Sequence, residues 1–355
     1  MLLTLDVKLD VAWWGCVSAI LASLLHLLGL LPFTAVFLTA WVIASAACIL
    51  MAFLEVFTAG KAVLITGCDS GFGFALAKHL DSLGFRVVAG CLAQDGEGAK
   101  QLRASASPRL HTIQLDITSV DEVRHAVQEV EALIPEGEVL WGLVNNAGLS
   151  TFGEVEWVQE HTFRKILEVN LMGMVTVTKA FLPLIRKAKG RVVNVSSMYG
   201  RMGNVRRSPY VLSKYAVEGF TDCLRQEMRS WGVAVSLIEP GNYIAATNVL
   251  TDDKVKGHGK AMWDGMSQEV REAYTQQYFD ATVENLLTFA HAGCRDVTAV
   301  VEAMTSALTQ ASPRARYMPI DAANYLRLFI NTHLPEYFYD TFCTSTASHH
   351  PTASS

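Results

Sequence analysis

From Val11 to Leu54 the sequence contains no aspartate, glutamate, lysine or arginine. Soluble cores rarely run so far without charge, whereas a helix that spans a membrane needs about 20 apolar residues in a row. Pro32, with Gly29 shortly before it, interrupts the run once, which predicts two spanning helices within 11–54, at roughly 11–31 and 33–54, after a flank at 1–10. Packing as a buried hairpin in a soluble protein is the competing arrangement. Trp13, Trp14 and Trp41 suit interfacial anchors or packing positions equally. Arginine is missing from the first sixty residues, where an arginine-rich organelle presequence would place it, and the apolar run is too long for a cleaved signal peptide. The flanking charges Asp6, Lys8 and Asp10 before the run and Glu55 and Lys61 after it are too balanced to set an orientation.

Also missing is any C-x-x-C pair: the seven cysteines are scattered and odd in number, which excludes a disulfide framework and a zinc site. A net charge of -5 without a basic tail or stripe leaves no footprint for nucleic acid. The histidine pair in the final HHP has no partners, so no metal site is expected, and the tail at 344–355 reads as disordered.

Beyond the apolar run, strands alternate with helices. KAVLIT (61–66) is followed by a helix ending at Gly84, then FRVVAG, HTIQLD, LWGLVN, GRVVNVS and VAVSLIE, each separated by an amphipathic segment. Continuous apolar strands divided by such helices predict an α/β fold in which a doubly wound parallel sheet is covered on both faces, forming one domain over 60–340. Residues 260–311 read as two or three helices, within a segment at 248–311 expected to cover a substrate pocket, and RYMP reads as a last short strand. No internal repeat is present.

Two local patterns carry chemistry. The first strand enters TGCDSGFG, Thr66 to Gly73, and a helix starts at once; three glycines let the backbone approach a pyrophosphate, and the helix offers free N–H groups to it. YVLSK then places Tyr210 and Lys214 four residues apart, on one face if the segment is helical. Alone, that pair reads as surface decoration, and Ser197, thirteen residues before Tyr210, as an ordinary helix cap.

Taken together the motifs resemble the short-chain dehydrogenase/reductase family, in family order and over about residues 60–340: TGCDSGFG, LDIT with Asp116, NNAG from Asn145 to Gly148, Asn170 in VNL, Ser197, Tyr210, Lys214 and PGNYIAAT. The resemblance implies a Rossmann-type domain and an oxidoreductase acting on CH–OH groups, with Ser197, Tyr210, Lys214 and Asn170 as catalytic residues. It implies cofactor contacts from Thr66, Gly67, Asp69, Ser70, Gly71, Phe72 and Gly73. Asp116, Ile117, Asn146, Ala147, Gly148, Tyr210, Lys214, Pro240, Gly241, Tyr243 and Thr247 complete that set. In this reading Tyr210 removes the hydroxyl proton, Lys214 lowers its pKa, Ser197 bonds the reacting oxygen, and Asn170 holds a water joining Lys214 to solvent.

The end of the second strand, VVAGCLAQDG, lacks an Arg or Lys to hold a 2′-phosphate, while Asp69 would repel one, so NAD is expected over NADP. Within the family the likeness is to retinol dehydrogenases, oxidative 17β- and 11β-hydroxysteroid dehydrogenases and D-3-hydroxybutyrate dehydrogenase. The membrane run favours a lipophilic secondary alcohol, hydroxysteroid or retinoid-like; Met262, Trp263, Met266, Tyr274 and Tyr278 in the covering segment suit such a ligand and an ordinary core equally. STFGEVE and RSPY favour 3-hydroxybutyrate, and Arg201, Arg206 and Arg207 could hold a carboxylate, although a solvated basic loop is the blander expectation. A silent NAD-binding scaffold is the remote alternative. Membrane lipid is an expected partner, a homo-oligomer is left open, and the endoplasmic reticulum is favoured over a mitochondrial membrane.

Overall fold

The computed structural model describes residues 5–344; the tail expected to be disordered lies, from residue 345 on, outside the described residues. Helices α1 (Leu5–Leu27) and α2 (Phe33–Phe53) form the hairpin. With 21 residues, α2 is about 31 Å long, enough for the hydrocarbon core of a bilayer, and none of its residues is buried. The two helices are tied by the Trp41 indole N–H, part-way along α2, which donates to the Val11 carbonyl at 2.9 Å.

The domain is a seven-stranded parallel sheet in the order β3-β2-β1-β4-β5-β6-β7. Its strands are β1 (Lys61–Thr66), β2 (Arg86–Cys91), β3 (Leu110–Gln114), β4 (Val139–Asn145), β5 (Arg191–Val195), β6 (Ala234–Ile238) and β7 (Arg316–Tyr317). Alternate residues of a strand face opposite sides of a sheet. Val63 and Ile65 accordingly pack on the side of α3 (Gly71–Ser82) and α12 (Thr298–Thr309). Ala62 and Leu64 pack on the side of α5 (Val120–Leu133), α7 (Met174–Ala188) and α8 (Ser208–Met228). Helix α4 (Glu97–Ser105) links β2 to β3, and α6 (Glu160–Leu167) runs into α7 through a wider π turn, Glu168–Gly173.

The covering segment is helical throughout most of its length. It forms α9 (Asp252–Gly265), which begins ahead of the stretch at 260–311 read as two or three helices, and then α10 (Gln268–Tyr274), α11 (Gln276–Ala290) and α12, which lie wholly within that stretch. Thr275 at φ +56° breaks α10 from α11, and its side chain caps Tyr278 N. Met262, Trp263, Met266, Tyr274 and Tyr278 gather around buried Trp157 and Phe279 in a small core of their own. Helices α13 (Ala322–His333) and α14 (Glu336–Phe342) pack Leu328 and Tyr339 onto Met198 and Met202.

The order of the strands fixes where a ligand can sit. Neighbours β1 and β4 lead their chains to opposite sides, so a crevice opens beyond their carboxyl ends.

Candidate active site

That crevice holds a cavity of about 570 Å³, lined by the segments that leave β1, β4, β5 and β6. Gly67 (φ +71°) and Gly71 (φ +63°) take backbone conformations that favour glycine. A Cβ on Gly73 would lie 2.4 Å from the Gly67 carbonyl oxygen and 2.6 Å from Asn146 Nδ2. Ser70 makes no side-chain cap, so the first N–H groups of α3 are left for a ligand. A glycine cradle at an uncapped helix N-terminus fits the pyrophosphate of a dinucleotide. Gly73→Ala should therefore weaken NADH binding in a fluorescence titration and lower the melting temperature, an overpacking cost of about 1–3 kcal/mol.

Most residues named from the sequence do face this cavity: Gly67, Asp69, Ser70, Gly71, Phe72, Asp116, Ile117, Asn146, Ala147, Gly148, Ser197, Tyr210, Lys214, Pro240, Gly241, Tyr243 and Thr247. Thr66, Gly73 and Asn170 lie behind its wall. The Thr66 hydroxyl accepts from Asn146 N (3.0 Å) and Ala147 N (3.1 Å), clamping the ends of β1 and β4 together. Asn170, fully buried, accepts from Leu149 N at 2.7 Å and donates to Leu149 O and Ser213 Oγ, both at 2.9 Å. Both its N–H donors are thus occupied by protein, and it ties the segment after β4 to the residue before Lys214.

Ser197 follows β5 and accepts from Tyr199 N at 3.2 Å, so it is a cap as well as a cavity residue. Tyr210 sits in the first turn of α8, where Pro209 suits the helix start. Burial pushes the Tyr210 phenol up, while hydrogen bonding with Ser197 and the charge of Arg207 pull it down. Lys214 is bonded not to the phenol but to the Val195 carbonyl (2.9 Å), with Nζ 5.6 Å from the centre of the Tyr210 ring. Arg207 is thus a second cation that opposes the rise at Tyr210, beside Lys214, to which the family resemblance gives that role.

Burial brings Lys214 down to about 8, against the charge of Glu218, which raises it. An unfolded lysine titrates near about 10.4, so above pH 8 the unfolded chain binds the extra proton. The burial penalty on the ammonium is fully present below pH 8 and is relieved as pH rises toward about 10.4. Wild type should gain stability relative to Lys214→Met over that window, measurable as a narrowing difference in thermal midpoint.

The three arginines before Tyr210 separate in the fold. Arg201 reaches Glu239 (3.5 Å), and Arg206 pairs with Glu154 (2.8 Å) and donates to the Tyr278 hydroxyl (3.1 Å). Arg207 is only 7% exposed, lines the cavity and has no carboxylate within ion-pair reach among the described residues. One of its N–H groups donates to Thr151 O at 3.3 Å, and its guanidinium lies 5.2 Å from the Phe289 ring centre. Burial lowers its pKa.

Comparison with known proteins agrees with this geometry. The family model described as short chain dehydrogenase matches residues 61–255. The chain belongs to the short-chain dehydrogenase family. A mouse protein named D-beta-hydroxybutyrate dehydrogenase, mitochondrial, is 51% identical over 279 residues, covering 78% of this chain and 81% of that protein. Mouse retinol dehydrogenase 7 is 44% identical over 257 residues, 72% of this chain and 79% of its own. A solved short-chain dehydrogenase/reductase from Burkholderia phymatum, in complex with NAD, superposes with a TM-score of 0.64 at 22% identity, covering 78% of this chain and 95% of that one, and shows the fold alone. As a short-chain dehydrogenase the chain is an alcohol/ketone oxidoreductase with a nicotinamide dinucleotide cofactor, and its apolar N-terminal helices associate it with a membrane.

Proposed function

We propose that this chain is a membrane-anchored, NAD-linked dehydrogenase of a short hydroxy acid, with 3-hydroxybutyrate and acetoacetate as the pair suggested by the relatives at 51% identity. The observation that carries the reading is Arg207, a buried guanidinium in the cavity wall without a carboxylate partner. A buried charge is costly unless paired, and a planar guanidinium recognises a carboxylate through two parallel hydrogen bonds. Arg207 and Tyr210 both border the cavity, three residues apart at the start of α8. A ligand that puts its carboxylate on Arg207 brings its hydroxyl toward Tyr210 and Ser197.

When bound, the dinucleotide supplies the hydride acceptor for oxidation and the hydride donor for reduction. The protein supplies the rest. Tyr210 takes the hydroxyl proton as the alcohol becomes a ketone, and returns it in the reverse direction. Ser197 donates a hydrogen bond to the reacting oxygen. Lys214, held by Val195 O, keeps positive charge under the Tyr210 ring and favours the ionised phenol. Asn170 acts as a positioning residue through Ser213.

Asp69 supports NAD. Its carboxylate accepts from Leu92 N (2.9 Å) and Ala93 N (3.0 Å) directly after β2, and a carboxylate at the end of that strand would disfavour the added phosphate of NADP. A lipophilic secondary alcohol remains the second reading, favoured by the apolar hairpin. The aromatic and methionine side chains that suited it belong to the core around Trp157 instead.

The test is reduced-cofactor production by the full chain in detergent, with NAD and NADP each offered 3-hydroxybutyrate, estradiol, a corticosteroid and retinol. Turnover of 3-hydroxybutyrate with a clear NAD preference is expected. Turnover of retinol or steroid without 3-hydroxybutyrate would overturn the substrate, and an NADP preference would overturn the cofactor.

A further inference from the structure

The hairpin joins the domain at one end of the sheet and the cavity opens at the other. At the hairpin base, Asp10 pairs with Arg314, Ala311 N donates to Leu54 O (2.8 Å) and Val56 N donates to Thr309 O (2.7 Å). These receiving residues lie among the starts of the strands. Trp141, early in β4, donates to Leu308 O at 2.9 Å, and Arg191, which begins β5, donates to Gln310 O at 3.4 Å. The cavity is lined instead by residues just beyond the strand ends, such as Asn146 after β4 and Ser196 after β5. A seven-residue strand such as β4 spans about 20 Å. Because α2 buries none of its residues, it leads away from the domain rather than lying along it.

We infer that the cavity draws its substrate from the aqueous phase, with the bilayer at the opposite end of the sheet. This rests on the hairpin being in a membrane and on the site being that of the dehydrogenase. The charges of the cavity wall agree: Lys165 and Lys254 belong to it with exposed side chains and no carboxylate paired to either among the described residues, while its carboxylates Asp69 and Asp116 are held by backbone N–H groups beyond β2 and β3. Burial lowers the pKa of His258, and the nearby charges of Lys165 and Lys254 lower it further. Such a wall suits an anion arriving through water and attracts it over about a Debye length. It suits a neutral solute leaving lipid poorly. A competing arrangement exists, because α13 and α14 expose Leu326, Phe329, Tyr337 and Phe342 near the cavity end. Were those side chains in the bilayer, the domain would have to tip until the mouth met the lipid.

Fluorescence of the full chain in vesicles separates the two. NADH bound in the cavity is one probe, and the tryptophans, three of which lie in the hairpin, are the other. Lipids spin-labelled in the acyl chain or headgroup should remove part of the tryptophan emission and none of the bound-NADH emission. Loss of NADH emission to either quencher, or tryptophan emission untouched by both, would overturn the inference. The readout needs cofactor binding only, so failure of 3-hydroxybutyrate in the substrate panel would refute that substrate and leave this result standing.

Discussion

Tyr210→Phe should lower turnover by about 10²–10⁴-fold, the range that a positioned acid–base group supplies, while NADH binding stays measurable. The substitution removes one oxygen and keeps the ring, so the packing beneath Lys214 Nζ survives. Burial by itself makes the phenol a poor base, since it holds the proton on. Ser197 and Arg207 oppose that, and a bound oxidised cofactor brings a further positive charge. The acid limb of the pH profile for oxidation should therefore follow Tyr210. Single-turnover kinetics and NADH titration together check the prediction; full activity in the phenylalanine variant would remove Tyr210 from the mechanism.

Arg207→Met should reduce kcat/KM for 3-hydroxybutyrate by about 10–150-fold, chiefly through KM, since a hydrogen bond to a charged group contributes about 1.5–3 kcal/mol. Arg207→Lys should fall between, because an ammonium cannot present the planar fork. An uncharged secondary alcohol should lose nothing through this contact. Stability supplies a contrast: replacing a buried, unpaired cation with an apolar side chain of similar length should leave the melting temperature equal or higher. A structural arginine would show the reverse, with lower stability and equal losses for charged and neutral substrates. Since Arg207 also pulls the Tyr210 phenol down, its loss should move the acid limb of kcat/KM to higher pH. An unchanged KM would return the substrate to the lipophilic class.

What the sequence made legible was local. The glycine turn and the Tyr210–Lys214 spacing are set by a few neighbouring residues, and the strand–helix alternation predicted the parallel sheet shown here. What escaped it depends on partners far along the chain. Arg201, Arg206 and Arg207 are equivalent in sequence; only folding gives the first Glu239 and the second Glu154, and leaves the third facing the cavity. Similarly, nothing near Lys214 announces that its ammonium is bonded to Val195, nineteen residues earlier. Met262 and Trp263 could have lined a pocket or filled a core, and Trp157, about a hundred residues away, decides for the core. The break at Thr275 was hidden because threonine rarely takes a positive φ.

Between α6 and α7 the helix widens into the π turn Glu168–Gly173, and Asn170 lies within it. Such a turn carries one residue more than the α-helical path, and each residue of an α-helix advances the side chain by about 100°. Removing a single codon here would restore a regular helix and swing either Asn170 or the start of α7 out of register. The placement of Asn170 against Leu149 and Ser213 is therefore a property of chain length as much as of side-chain identity. A deletion scan across 168–173 should disturb the site even at the exposed positions Glu168 and Met172, where a change of side chain alone should cost little.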